Sequence, residues 1–176
     1  MHDQHNHPIV KKNIISKRQY LFLLAIIAII LFIDQITKYI ISTKMQLNQS
    51  IQVTPFLSLT YITNTGVSFG SFQGYNLLFI IITTLFILFI IYYLPYFETK
   101  ILPAIALVLA GAIGNLIDRI LYSHVIDFID FKIWPVFNIA DSSITIAAVW
   151  IIIVIFFKKE KDQETANLHT HSQIKE

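Results

Sequence analysis

The apolar residues fall into four long, nearly uninterrupted blocks, not into the one-faced or alternating pattern of a soluble domain. The blocks run from about Tyr20 to Ile41, Tyr75 to Tyr93, Ile101 to Ile120 and Ala140 to Phe157. Each approaches the ~20 residues that cross a hydrocarbon core of about 30 Å at 1.5 Å per residue. In lipid every backbone amide must find its partner within the protein, so the blocks are predicted to be helices despite their many Ile and Phe residues. The gap after the first block carries a different period. Ile51, Val53, Leu57, Leu59 and Tyr61 alternate with Gln52, Thr54, Ser58 and Thr60, which predicts strand, and Pro55 marks an edge position or a break. A small sheet on the membrane surface is expected there, with Gly66, Gly70 and Gly74 providing flexible turns before the second block.

Composition agrees: 55% of the 176 residues are hydrophobic and only 14% charged, with a mean hydropathy of +0.64. A soluble domain has about a quarter of its residues charged. The chain has no cysteine, which excludes a disulfide framework, a thiolate metal site and a cysteine nucleophile. The net charge of +2 says little, but its placement does. Lys11, Lys12, Lys17 and Arg18 precede the first block, Lys100 lies between the second and third, and Lys158, Lys159 and Lys161 follow the fourth. With four spans these groups share one side, which the positive-inside rule makes the cytoplasm. The loops Ser42 to Gly74 and Leu121 to Ile139 then face outward. The first block lacks a small-residue cleavage motif and reads as an uncleaved span. The expected fold class is an all-α integral membrane protein: four transmembrane helices, both termini cytoplasmic, and a small extracytoplasmic β-cradle within residues 42–74. Residues 1–19 and 158–176 are expected to be cytoplasmic tails around a membrane domain of residues 20–157, the second tail disordered. His2, His5 and His7, like His169 and His171, read as parts of solvated tails and not as metal ligands.

Polar residues at membrane depth are costly and mark function or pairing. Here they gather near the outer ends of the spans. Asp34 and Lys38 lie four apart on one helical face, and Asn115, Asp118 and Arg119 follow at i, i+3 and i+4. Asp127 comes shortly after, and Asn138 and Asp141 open the fourth block. Each has a plain structural reading beside the functional one. Asp34 with Lys38 makes an i, i+4 ion pair; Asp118 ties helices together; Arg119 either holds Asp118 or clamps a ligand. Asp141 is a natural helix N-cap, Asp127 a turn residue and His124 a surface loop residue. Jointly, Asp127 and Asp141 flank a short segment whose ends both lie at the outer surface, so antiparallel third and fourth helices can bring the carboxylates together. Two such carboxylates cannot both ionise cheaply and hold one proton between them, the arrangement needed to split a peptide bond with water. A proton- or ion-conducting transporter is the rival reading, but the polar groups cluster at one face and no inverted repeat is evident. A non-catalytic membrane adaptor is a third reading.

Five blocks carry a resemblance: Asp34-Gln35-Ile36-Thr37-Lys38, Asn64-Thr65-Gly66-Val67-Ser68-Phe69-Gly70, the run Gly111 to Arg119, Val125-Ile126-Asp127-Phe128 and Phe137-Asn138-Ile139-Ala140-Asp141-Ser142. In this order, over about Tyr20 to Phe157, they resemble the signature blocks of lipoprotein signal peptidase, or signal peptidase II. The resemblance implies a membrane aspartic endopeptidase that cuts prolipoproteins on the N-terminal side of a diacylglyceryl-modified cysteine. It implies Asp127 and Asp141 as the catalytic pair. It further implies Asn64, Gly66, Asn115, Asp118, Arg119 and Asn138, with the pair Asp34 and Lys38, as substrate-binding or supporting residues. No cofactor and no metal are expected. The partners implied are lipid-modified prolipoproteins and membrane lipids, not nucleic acid, with the enzyme a monomer in the bacterial inner membrane and its site at the outer face. Two departures touch loop shape: Ser123 where the family often has glycine, and Val67 where it commonly has a smaller residue.

Overall fold

The computed structural model describes residues 13–66 and 75–173, with side chains described as far as residue 158. The expectations placed on His2, His5, His7, Lys11, Lys12, Val67, Gly70 and Gly74, and on the side chains of Lys159, Lys161, His169 and His171, lie outside the described residues. Four helices, α1 (Lys17–Lys44), α2 (Asn76–Tyr93), α3 (Leu102–Tyr122) and α4 (Ile139–Gln173), are joined by strands β1 (Ser50–Thr54), β2 (Leu57–Asn64) and β3 (Val125–Asp130). All four helices are long and apolar enough to cross a membrane.

Two boundaries differ from expectation. α1 begins at Lys17, where Ser16 and Gln19 form a capping box, so the basic residues Lys17 and Arg18 start the helix instead of preceding it. α4 continues as backbone helix to Gln173, where a disordered tail is expected from Lys158. Lys, Glu and Gln, frequent in that stretch, are strong helix formers, and the apolar pattern that bounds the span carries no information about them.

α3 is the axis of the bundle, packing on α4, α1 and α2. Small residues make this possible: Ala104, Ala106, Ala110, Gly111, Ala112 and Gly114 of α3 are all buried. A Cβ at Gly111 would press on the Ala140 carbonyl and the Ser143 and Ile144 side chains, and one at Gly114 would lie 2.7 Å from Oδ2 of Asp34. Membrane helices associate through such close backbone approach because lipid offers no hydrophobic drive between them. The larger residues Ile87, Ile90, Ile105 and Leu109 fill the α2–α3 seam, while Leu77, Ile82, Leu85 and Tyr92 of α2 are exposed, as a lipid-facing surface requires.

The sheet is antiparallel with order β1-β2-β3. Pro55 falls between β1 and β2, so of the two expectations placed on it the break is realised. β3 is absent from the sequence-based expectation, which leaves Leu121 to Ile139 as loop and Asp127 as a turn residue. The strand hides because Val125, Ile126, Asp127 and Phe128 are all buried, which removes the alternation that announces a half-exposed strand. Ile126 and Phe128 pack with Ile41 and Met45 at the end of α1, fixing the sheet against the bundle. The chain enters β3 through Ser123, left-handed at φ 63° just after α3. That is a conformation glycine adopts without strain, and here a serine takes it at the C-terminal cap of α3.

Candidate active site

Asn138 is the hinge of the site. Its side-chain oxygen accepts from the Asp141 N–H at 2.9 Å, and the Asp141 carboxylate accepts from the Asn138 N–H at 3.3 Å. This reciprocal pair is a capping box that starts α4. The N-cap is therefore Asn138, not Asp141 as the plain reading has it, and Asp141 is left one turn inside with its carboxylate at the helix mouth. The Asn138 amide also donates to Asp127 Oδ1 at 2.7 Å. One side chain thus holds both aspartates. Asn64, at the end of β2, donates to the other Asp127 oxygen at 3.1 Å, and Asn115 of α3 donates to Asp141 Oδ1 at 2.8 Å. Each carboxylate consequently receives neutral amide donors, and among the described residues neither forms an ion pair.

Both carboxylates face a cavity of about 1070 Å³. Its walls come from Ile62–Gly66, from the segment Phe131–Phe137, from Arg119 and from the first turns of α4. β1 takes no part in the lining, so the sheet meets the cavity through the end of β2 and through Asp127 on β3. Arg119 does not hold Asp118: its guanidinium donates to the Gly66 carbonyl at 3.4 Å and lies over the Phe79 ring, 5.4 Å from its centroid. His124 packs beside Tyr122 and is not part of the cavity wall.

Asp127 differs electrically from an ordinary carboxylate. Burial, followed by the neighbouring charge of Asp141, pushes Asp127 up to about 7, against the lowering effect of the Asn64 and Asn138 amides and of Lys38. At neutral pH the pair can therefore retain a proton that an ordinary carboxylate has lost.

Asp34, Lys38 and Asp118 lie behind the cavity wall. Lys38 is 2% exposed, its ammonium 2.8 Å from both Asp34 Oδ2 and Asp118 Oδ2 and 3.0 Å from Asn115 Oδ1. The i, i+4 pair legible in the sequence is thus half of a three-residue cluster. Gln35, a further residue of the site outside the expected set, donates to Asp34 at 3.1 Å and to Asp118 at 3.0 Å. A polar residue between Asp34 and Lys38 at membrane depth was the available signal. Every expected site residue thus lies in or directly behind one cavity. Among the described residues no three His, Asp or Glu side chains are grouped as a metal centre.

Comparison with known proteins gives this geometry its family. Residues 26–157 match the family described as signal peptidase (SPase) II. A lipoprotein signal peptidase of Halothermothrix orenii is 39% identical over 141 residues, covering 77% of this chain and 95% of its own. One from Staphylococcus aureus (strain JH9) is 41% identical over 145 residues, covering 76% and 89%. A solved structure titled a bacterial membrane enzyme, obtained by the in meso method at 2.3 Å, superposes with a TM-score of 0.76 at 38% identity, covering 86% of this chain and 94% of its own. The chain belongs to the signal peptidase II family, aspartic-type proteases of the membrane that remove signal peptides from prolipoproteins.

Proposed function

We infer that Asp127 and Asp141 are the catalytic pair, acting on a precursor whose cysteine carries diacylglycerol. The observation that carries this reading is the shared grip of Asn138 on two carboxylates, Asp127 buried and Asp141 half-buried, that face one cavity with no described cation paired to either. With one proton on the pair, the ionised carboxylate takes a proton from water as its oxygen attacks the scissile carbonyl. The protonated one donates to the carbonyl oxygen. Collapse of the tetrahedral intermediate breaks the C–N bond, and the leaving amine takes up the proton removed from the water. Arg119 and Asn64 line the same cavity and offer donors to an extended substrate backbone. The acyl chains of the substrate stay in the bilayer, which suits a site at the mouth of α4.

The site opens on the outer face of the bacterial inner membrane, with both termini cytoplasmic. Supporting this, Asn13 bonds to the Pro95 and Phe97 carbonyls and Lys158 pairs with Glu98. The basic end of α1, the α2–α3 turn and the inner part of α4 therefore share one end, opposite the sheet, as the positive-inside rule requires of a cytoplasmic end.

The test is release of signal peptide from a diacylglyceryl-modified precursor peptide by the purified protein. Asp127→Asn and Asp141→Asn should each lower turnover by on the order of 10⁴-fold or more while the protein stays inserted. Near wild-type turnover in either variant would refute the assignment.

A further inference from the structure

The cluster behind the cavity is built symmetrically about the aspartate pair. Asp34 Oδ1 accepts from the N–H of Ala140 at 2.8 Å, the residue immediately before Asp141. Asp118 Oδ2 accepts from the N–H of Ile126 at 3.2 Å, the residue immediately before Asp127. Each rear carboxylate thus grips the peptide group that leads into one front carboxylate. Lys38 joins the two grips, since its ammonium is 2.8 Å from Asp34 and 2.8 Å from Asp118. Its third contact, Asn115 Oδ1 at 3.0 Å, belongs to the side chain that donates to the Asp141 carboxylate. An ammonium has three donors, and here all three lead to the pair. Gln35 adds a neutral bridge between the same two rear carboxylates.

None of these groups lines the cavity. The cluster is also more than a means of tolerating charge at depth, for which Asp34 with Lys38 alone would serve. Asp34 comes from α1, Asp118 from α3, Ala140 from α4 and Ile126 from β3. Without the lysine, the α4 grip and the β3 grip would be joined from behind only by the neutral Gln35 amide.

The geometry points to Lys38 as a positioning residue, a yoke that sets the placement of Asp127 relative to Asp141 by binding Asp34, Asp118 and Asn115 at once. The yoke rests on the reading of Asp127 and Asp141 as the catalytic pair. A group that fixes the reacting carboxylates without touching substrate should act on turnover and leave binding alone, and a misplacement near 1 Å can cost about 10²-fold.

The test is a mutant cycle on the solubilised enzyme with a diacylglyceryl-modified precursor peptide. Lys38→Met should lower kcat about 10²-fold with KM changed by no more than about threefold. Asp34→Asn and Asp118→Asn should each lower kcat in the parent, yet add little once Lys38→Met is present, because all three changes break one connection. Should Lys38→Met fail to give a cooperative thermal transition, the neutral triple variant D34N/K38M/D118N removes the unpaired charges and is expected to fold with the same kcat loss. Near wild-type kcat in Lys38→Met or in the triple variant would overturn the yoke. So would losses that multiply independently, or a rise in KM in place of a fall in kcat. Asp127→Asn and Asp141→Asn, assayed in parallel, separate the two ideas. If they are inactive while Lys38→Met is active, only the yoke fails; if they are active, the catalytic assignment fails.

Discussion

β3 carries two aspartates three residues apart in opposite electrical surroundings. Asp130 has the Lys132 ammonium at 2.7 Å and the Thr60 hydroxyl at 2.7 Å. With the Lys132 side chain foremost, these hold it below the usual carboxylate range despite its burial. Asp127 has only amide donors in direct contact, and burial with the Asp141 charge drives it up to about 7. The contrast repeats at the depth of the helices. Asp34 and Asp118 share a lysine and hold peptide N–H groups, whereas Asp127 and Asp141 share an asparagine and face a cavity. The side chain is the same in all five places. A directly bonded cation makes an aspartate a strut, while an amide leaves it free to exchange a proton.

That comparison can be broken or sharpened by experiment. The aspartate substitutions already described carry the largest expected effect. Next is Asn138→Ala, which removes the shared grip and the α4 cap together. Turnover should fall about 10²-fold, and thermal unfolding in detergent should report a loss of roughly 1 kcal/mol from the cap. An active enzyme after this change would mean that the pair needs no common holder. A smaller effect is expected from pH. Since Asp127 is raised to about 7, the pair keeps its shared proton below that value and loses it above. The kcat/KM profile should therefore fall by about tenfold per unit on the alkaline side. Stability should follow the same sign: the tighter proton binding of the folded state is fully felt below the ordinary carboxylate pKa and is lost as pH rises through about 7. Asp127→Asn should flatten that slope in melting temperature. The smallest effect belongs to Lys132→Ala. It should return Asp130 toward the ordinary carboxylate range, read by NMR titration, and leave turnover within about twofold, as expected for a partly exposed pair away from the reacting atoms.

Much of this architecture can be read from the residues alone, and the exceptions have physical causes. Four spans are legible because lipid forces every apolar block of that length into a helix. The collection of polar groups at one end is legible because each is costly at that depth and so cannot be incidental. β3 is not legible, since a strand buried on both faces shows no alternation. Nor is Asn138 as the α4 cap, because Asn138 and Asp141 are both good capping residues and only the geometry assigns them. The preference for Asp127 over Asp118 rests on motif register in the sequence. The structure supplies a reason in contacts: Lys38 pairs with Asp118, and no described cation pairs with Asp127. Spacing on one helix reveals Asp34 with Lys38, whereas Asp118 joins them from another helix, where spacing says nothing.

The close approach of α3 and α1 at Gly114 places a constraint on how this sequence can drift. A side chain there would meet Asp34, and removing Lys38 leaves the charges of Asp34 and Asp118 without their shared partner in a dry place, a change that costs about 3–5 kcal/mol in comparable buried pairs. Single-step loss of the lysine is thus closed, and it must be exchanged together with its two aspartates. A lineage that lost the lysine would be expected to carry neutral residues at both aspartates.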